Sequence, residues 1–325
     1  MPLPQNFLSG LNVAAILTAA FALALTASAS RLNYESGWAQ NLSAWKFQLG
    51  ENDSASELGF NDSGWEQVYL PHTLFPEPRL YKKGQTFSRG VGWYRTTFSL
   101  GKDQKEKNLQ LQFEGVSTRA DLWLNGKYLG RHLGGFTPFA FDITEAVNWD
   151  HANLLAVKVD NRRMEVPPDG MTADFDYPIY GGIYRQVRIV GRAEIFVDDI
   201  YVATPEVSKS RALVKAVATV KNSGNSPAKF RLFLEVFPRT GTQKIAEQKS
   251  GDLVAGAGAS TEFAQELVID HPKLWSPDHP ELYRIKISVI AADNTALDSS
   301  SISFGIRSIK FTTGQGFFLN NEPMK

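Results

Sequence analysis

From Arg31 to Lys325 no apolar pattern sustains the period of a helix; apolar residues instead alternate in short runs that stop at Gly, Pro, Asn or Asp. A chain patterned this way can bury its apolar residues only on the faces of sheets. Leu109-Gln110-Leu111-Gln112-Phe113 alternates cleanly, as do Ala120 to Leu124, Leu154 to Val159 and Tyr184 to Val190. Asn125-Gly126 sits between Ala120–Leu124 and Lys127-Tyr128-Leu129, the composition of a type I′ hairpin turn, where both central residues need positive φ. The pattern predicts an all-β fold.

A boundary is expected near Gly191-Arg192, beyond which the strands are more regular. Val214, Ala216, Ala218 and Val220 share one face, and Phe230, Leu232, Leu234 and Val236 share another after the turn at Asn222-Ser223-Gly224-Asn225. Further strands are expected at Leu253-Val254, Thr261 to Ile269, Leu282 to Ile290 and Ser301 to Ile306. This series predicts a small immunoglobulin-like sandwich lacking the Cys-Trp-Cys pattern of antibody domains.

The 34 basic and 34 acidic side chains cancel and form no basic stripe, which argues against a nucleic-acid partner. With no cysteine there is no disulfide, thiolate nucleophile or Cys-ligated zinc, and the scattered histidines show no metal-ligand spacing. Val13 to Leu25 is apolar but short for a membrane span, and Ala27-Ser28-Ala29 has the small residues of an export cleavage site. Residues 1–29 are therefore expected to be a signal peptide, making the protein exported, periplasmic or extracellular, with no span in the mature chain.

Chemistry-bearing side chains concentrate in one stretch, Asp174-Phe175-Asp176-Tyr177-Pro178-Ile179-Tyr180-Gly181-Gly182-Ile183-Tyr184-Arg185-Gln186-Val187. Pro178 holds Tyr177 extended, so both carboxylates belong to a loop and not to a helix. The glycine pair permits positive φ and the close approach of another backbone or of a ligand. A paired-carboxylate glycosidase needs its carboxyls about 5 or 6.5–9.5 Å apart across the sugar. An i, i+2 pair in extended chain points to opposite sides and does not meet that need. One of the two can instead accept hydrogen bonds from sugar hydroxyls, while a tight corner with locally capping Asp side chains is the plainer alternative. Trp93 and Trp123 fall inside strand patterns and read as core, whereas Phe136, Phe139 and Tyr180 lie in Gly- and Pro-rich loops that suit a ligand surface.

Several linked segments carry a family resemblance. They are Leu70-Pro71-His72-Thr73, Gly90-Val91-Gly92-Trp93-Tyr94-Arg95, Phe113-Glu114-Gly115-Val116 and Ala120 to Gly126. Gly134-Gly135-Phe136-Thr137-Pro138-Phe139, Phe141-Asp142-Ile143-Thr144, Val159-Asp160-Asn161-Arg162 and the Asp174–Val187 stretch follow. In this order they resemble the N-terminal sugar-binding domain of glycoside hydrolase family 2, the β-galactosidase, β-glucuronidase and β-mannosidase group. Leu274-Trp275-Ser276-Pro277-Asp278 with Glu281-Leu282-Tyr283 resembles the family's immunoglobulin-like second domain, and Phe304-Gly305-Ile306-Arg307 with Phe317-Phe318-Leu319-Asn320 resembles the crossing into its third.

The resemblance implies an all-β chain: a jelly-roll (galactose-binding-like) β-sandwich over 30–192, an immunoglobulin-like β-sandwich over 193–307, and an entry segment over 308–325 leading to a TIM barrel that is itself missing. A barrel takes about 250 residues, so both catalytic glutamates of the family fall outside this sequence and no catalytic residue is assigned within it. In the family an aspartate of the loop before the Gly-Gly-Ile-Tyr-Arg segment helps bind the terminal sugar. Spacing to Gly182 places that role on Asp174, with Asp176 second, and Arg89 is the nearest match for a polar residue bordering the same pocket. Tyr180 joins these as a substrate-binding candidate. The implied partners are a β-linked carbohydrate and the barrel in cis, with a homo-oligomer also compatible. No cofactor is implied, although a metal ion near the sugar site of the intact enzyme would be compatible. The alternative is a stand-alone carbohydrate-binding or structural module.

Overall fold

The computed structural model describes residues 33–34, 38–75, 89–105, 108–162 and 180–324. The expected signal peptide lies outside them. The first strands are β1 (Asn33–Tyr34), β2 (Trp38–Asn41), β3 (Ala44–Leu49), β4 (Glu66–Tyr69), β5 (Val91–Phe98) and β6 (Asn108–Phe113). They are followed by β7 (Arg119–Leu124), β8 (Lys127–Leu133), β9 (Phe139–Asp142), β10 (Asn153–Asp160) and β11 (Val187–Arg192). An antiparallel sheet in the order β4-β3-β5-β10-β7-β8 faces a second one in the order β2-β11-β6-β9, giving the jelly-roll. The alternation seen in the sequence decides which residues face inward. Leu109, Leu111 and Phe113 of β6, Val187 and Ile189 of β11, and Leu122 and Val157 are buried in one core between the sheets. The hairpin at Asn125-Gly126 forms as expected, with φ of 53° and 79°.

Trp93 and Trp123 are not part of that core. They sit on the outer face of the larger sheet, where Trp93 joins Val91, Ala156 and Ala55 in a separate cluster beside Phe60 and Trp65. Residues 51–65 cover that face. Arg95 ties them down through Asp62 at 2.8 Å and the carbonyls of Ala55 and Glu57. Strand patterning placed both as core, but Trp93 is buried and Trp123 half-buried in a second, outer layer that the pattern did not reveal.

The second module contains β12 (Ile195–Val207), β13 (Arg211–Asn222), β14 (Ala228–Pro238), β15 (Ala246–Lys249), β16 (Leu253–Ala255), β17 (Ser260–Asp270), β18 (Tyr283–Ile290) and β19 (Ala296–Phe304). A sheet in the order β12-β13-β17 packs on one in the order β1-β19-β18-β14-β15, with β16 also paired to β14. Val214, Ala216, Ala218 and Val220 meet Phe230, Leu232, Leu234 and Val236 in its core, as the alternation requires. Two features depart from the sequence reading. The last strand begins at Ala296 and not at Ser301. Asn33–Tyr34 pair with Ser300–Ser301 of β19, so this part of the chain, placed by the sequence boundary with the jelly-roll, joins the second module's sheet. Residues beyond 308 form a small meander of β20 (Ile309–Thr312), β21 (Gly316–Leu319) and β22 (Glu322–Met324).

Candidate functional site

At one end of the jelly-roll the residues flanking segments 76–88 and 163–179 come together around Asn161. This side chain is fully buried. Its Oδ1 accepts the Gly90 N–H at 2.8 Å, and the Asn161 backbone N–H donates to the Gly90 carbonyl at 3.1 Å. Arg89 reaches the Asn161 carbonyl through Nη1 at 3.4 Å. On the other side Gly181 presses on Asn161 so closely that a Cβ there would stand 2.5 Å from the carboxamide carbon. The Phe75 ring lies beside Gly90, 3.4 Å from the position a Cβ would take. Residues 89–90 and Gly181 therefore meet at Asn161, with the Phe75 ring beside Gly90.

The close approach expected at the glycine pair is made by protein, not by open space for a ligand. Gly182, at φ 129°, lies under the backbone of His72 to Leu74, with a hypothetical Cβ 2.5 Å from the His72 carbonyl. Residues 181–183 form the middle of a short ribbon. His72 N–H donates to the Ile183 carbonyl at 2.9 Å and Leu74 N–H to that of Gly181 at 2.8 Å. Gly182 and Ser117 exchange both backbone hydrogen bonds at 3.0 Å. Below the ribbon, His72 Nδ1 is 2.9 Å from the Tyr94 hydroxyl. Burial pulls the His72 imidazole below its usual range, against a smaller opposing pull from Glu66, and burial pushes the Tyr94 phenol up. A neutral imidazole bonded to a neutral phenol follows at pH 7.

Asp160 fixes the adjacent turn. Its carboxylate accepts the Arg162 N–H and Arg162 Nη2, each at 2.8 Å, and Arg119 Nη2 at 2.8 Å. Burial opposes ionisation of Asp160, but the hydrogen bonds from Arg162 and the charges of Arg119 and Arg162 outweigh it and hold its carboxyl below the usual range. Arg162 continues to Glu51 at 3.0 Å, and Glu51 to Lys158 at 2.6 Å. Arg119 also faces Asp121 at 3.5 Å, which pairs with Arg131 at 2.7 Å. With its carboxylate occupied by arginines, Asp160 is a structural acid and not a proton-transfer group.

Of the sequence-predicted site residues, Arg89 and Tyr180 are brought to this cluster, Arg89 against Asn161 and Tyr180 as an exposed ring next to Gly181. Asp174 and Asp176 lie outside the described residues, between Arg162 and Tyr180 in sequence. Phe136 is exposed on the neighbouring loop, whose Gly135 carbonyl accepts the Tyr184 hydroxyl. Phe139 is not a ligand-facing ring: it stacks between Phe113 at 4.9 Å and His132 at 4.0 Å, packed against the core. Among the described residues no group of three or more His, Asp or Glu side chains could hold a metal ion. Sequence reasoning passed over Asn161 and Asp160 as anchors. Both fall in the Val159-Asp160-Asn161-Arg162 segment that carries the family resemblance, but that segment gave no sign of their anchoring contacts.

Residues 44–192 match the family model described as glycosyl hydrolases family 2, sugar binding domain, and residues 195–307 match that of glycosyl hydrolases family 2. A β-galactosidase of Thermoanaerobacter pseudethanolicus is 33% identical over 283 residues, covering 86% of this chain and 37% of its own. A β-glucuronidase of Formosa agariphila is 28% identical over 302 residues, covering 86% of this chain and 30% of its own. The crystal structure of Bacteroides uniformis β-glucuronidase superposes with a TM-score of 0.77 at 32% identity, over 89% of this chain and 35% of that one. The chain thus spans about a third of the length of the curated relatives it matches.

Proposed function

Because the chain belongs to glycosyl hydrolases family 2, we propose that it is the non-catalytic N-terminal part of an exported β-glycosidase of β-galactosidase type, and that its jelly-roll completes the substrate pocket. The carrying observation is the convergence on Asn161 of the segments that flank 76–88 and 163–179. Loops held at both ends by a rigid sandwich are where ligand contacts concentrate. Asp174 is the residue proposed to accept hydrogen bonds from the terminal sugar, with Asp176 second and Arg89 and Tyr180 at the rim. Charge-assisted bonds of this kind orient the sugar as well as hold it.

The two modules do not supply the nucleophile and acid/base pair that retaining hydrolysis needs. Purified chain is expected to leave an aryl β-galactoside intact. With these modules joined to a family barrel, Asp174→Ala is expected to raise KM, lower kcat, or both. Unchanged kcat and KM would reduce the modules to a scaffold. The exposed rings of Tyr180 and Phe136 favour a second reading, a stand-alone carbohydrate-binding module. Millimolar binding of galactose by the chain itself, lost in Tyr180→Ala, would support that reading over the first.

A further inference from the structure

We propose that the jelly-roll and the immunoglobulin-like sandwich are a single cooperative folding unit, latched by a buried ion pair between Arg192 and Asp298. Arg192 belongs by its backbone to the first sandwich, where it pairs with Asn108 of β6. Its guanidinium lies in the second. Nη2 donates to Asp298 Oδ2 at 2.7 Å, to the Val197 carbonyl at 2.9 Å and to Ser300 Oγ at 3.3 Å. Asp298 Oδ2 also accepts the Val197 N–H at 3.0 Å, and the guanidinium carbon stands 4.7 Å from the centre of the Phe196 ring. Both charged side chains are essentially inaccessible, at 0% and 2% exposure.

Burial at this junction extends along the strand. Asp298, Ser299, Ser300 and Ser301 are all buried, an unusual run for the edge of a sandwich core. Two elements attach there: β1 pairs with Ser300 and Ser301, and Arg192 reaches Asp298. These precede and follow the jelly-roll in the chain, so the first module is fastened at both ends to one strand of the second. A buried charge stays put only while paired, and removing one partner strands the other in a low-dielectric site. Separating the modules would strand both. Local opening at the junction is therefore opposed by the same contact that stabilises each module's edge.

The test uses the whole chain and its uneven tryptophans. Six of the seven, at 38, 45, 65, 93, 123 and 149, lie in the first sandwich, while Asp298 lies in the second. Thermal unfolding is followed by tryptophan fluorescence and by far-ultraviolet circular dichroism, for wild type, Asp298→Asn and the pair Arg192→Met/Asp298→Leu. One transition shared by both probes is expected in wild type. Asp298→Asn is expected to lower both midpoints together by about 6–10 °C. The apolar pair is expected to recover at least half of that shift, because it leaves no charge unpaired. A fluorescence midpoint that stays at the wild-type value in Asp298→Asn would overturn the proposal, as would separate transitions in wild type. Should Asp298→Asn fail to fold, the apolar pair decides: a single transition within a few degrees of wild type supports the latch, and two transitions or failure to fold overturn it.

Discussion

Replacing Gly182 by Ala tests what the glycine pair is for. Gly182 has φ 129°, a conformation that costs a residue with a side chain about 1–3 kcal/mol. Its new Cβ would stand 2.5 Å from the His72 carbonyl, 2.9 Å from Thr73 Cα and 3.1 Å from Leu74 N. All three are backbone atoms held by the ribbon, so none can rotate away as a flexible side chain would. Relief requires residues 72–74 to retreat, weakening the bonds from His72 and Leu74 to the 181–183 segment. Each such bond contributes about 0.5–1.5 kcal/mol net, and crowding a packed site costs about 1–3 kcal/mol more. The expected loss is about 3–9 kcal/mol, a large part of the 5–15 kcal/mol typical of a folded protein. In urea unfolding followed by tryptophan fluorescence the midpoint should fall by about 1–3 M. Gly59, with nothing within 4 Å of its would-be Cβ, is the control, and Gly59→Ala should change stability by less than about 0.5 kcal/mol. Equal midpoints for Gly182→Ala and Gly59→Ala would refute the reasoning. The pair would then be free of backbone constraint, and the space beside it would return to consideration as a ligand contact.

The remaining predictions concern the polar anchors. Asn161→Ala leaves the Gly90 N–H without its side-chain acceptor and should cost about 1–3 kcal/mol, with faster hydrogen exchange at the Gly90 amide; unchanged exchange there would contradict the anchoring role. Asp160 has a carboxyl pKa held below the unfolded value, so its contribution is fully present above about pH 4 and is lost as pH falls through the folded value. Asp160→Asn should therefore lower stability at pH 7 by about 2–3 kcal/mol, discounted for the half-exposed Arg162, and flatten the acid limb of the stability curve. His72 and His132 are both lowered by burial, so their contribution is complete above the unfolded value of 6.5 and disappears as pH falls through the folded values. Chemical denaturation should show stability declining from pH 7 to pH 5. His72→Gln, which keeps a hydrogen-bonding group for Tyr94, should make that decline shallower, and an unaltered slope would remove His72 from the account.

What the sequence made legible and what it did not divide along a physical line. Alternation at Val214 to Val220 and at Leu109 to Phe113 identified strands and their inward faces, because apolar burial is written residue by residue in a period of two. Asn125-Gly126 was legible because few other residues accept positive φ at both turn positions. The close approach at Gly181-Gly182 was legible for the same steric reason, but not its occupant. That depended on residues 72–74, more than a hundred positions away in the chain. Polar burial was the least legible. Asp298-Ser299-Ser300-Ser301 has the composition of a solvated segment, and only the arrival of Arg192 and β1 makes it interior. Asn161 likewise has no pattern that separates it from an ordinary turn asparagine until Gly90 and Gly181 close on it. A buried polar group is stable only when its partners are present, so its role is fixed by long-range contacts that local pattern does not encode. Asp174, Asp176 and Arg89 were assigned their roles through the family resemblance, whereas Asn161 and Asp160, beside the flanking segments, are polar anchors fixed by tertiary contact. Substitutions at Asn161 or Asp160 should therefore disturb any sugar contact made by the adjoining residues, even though neither side chain needs to touch the sugar.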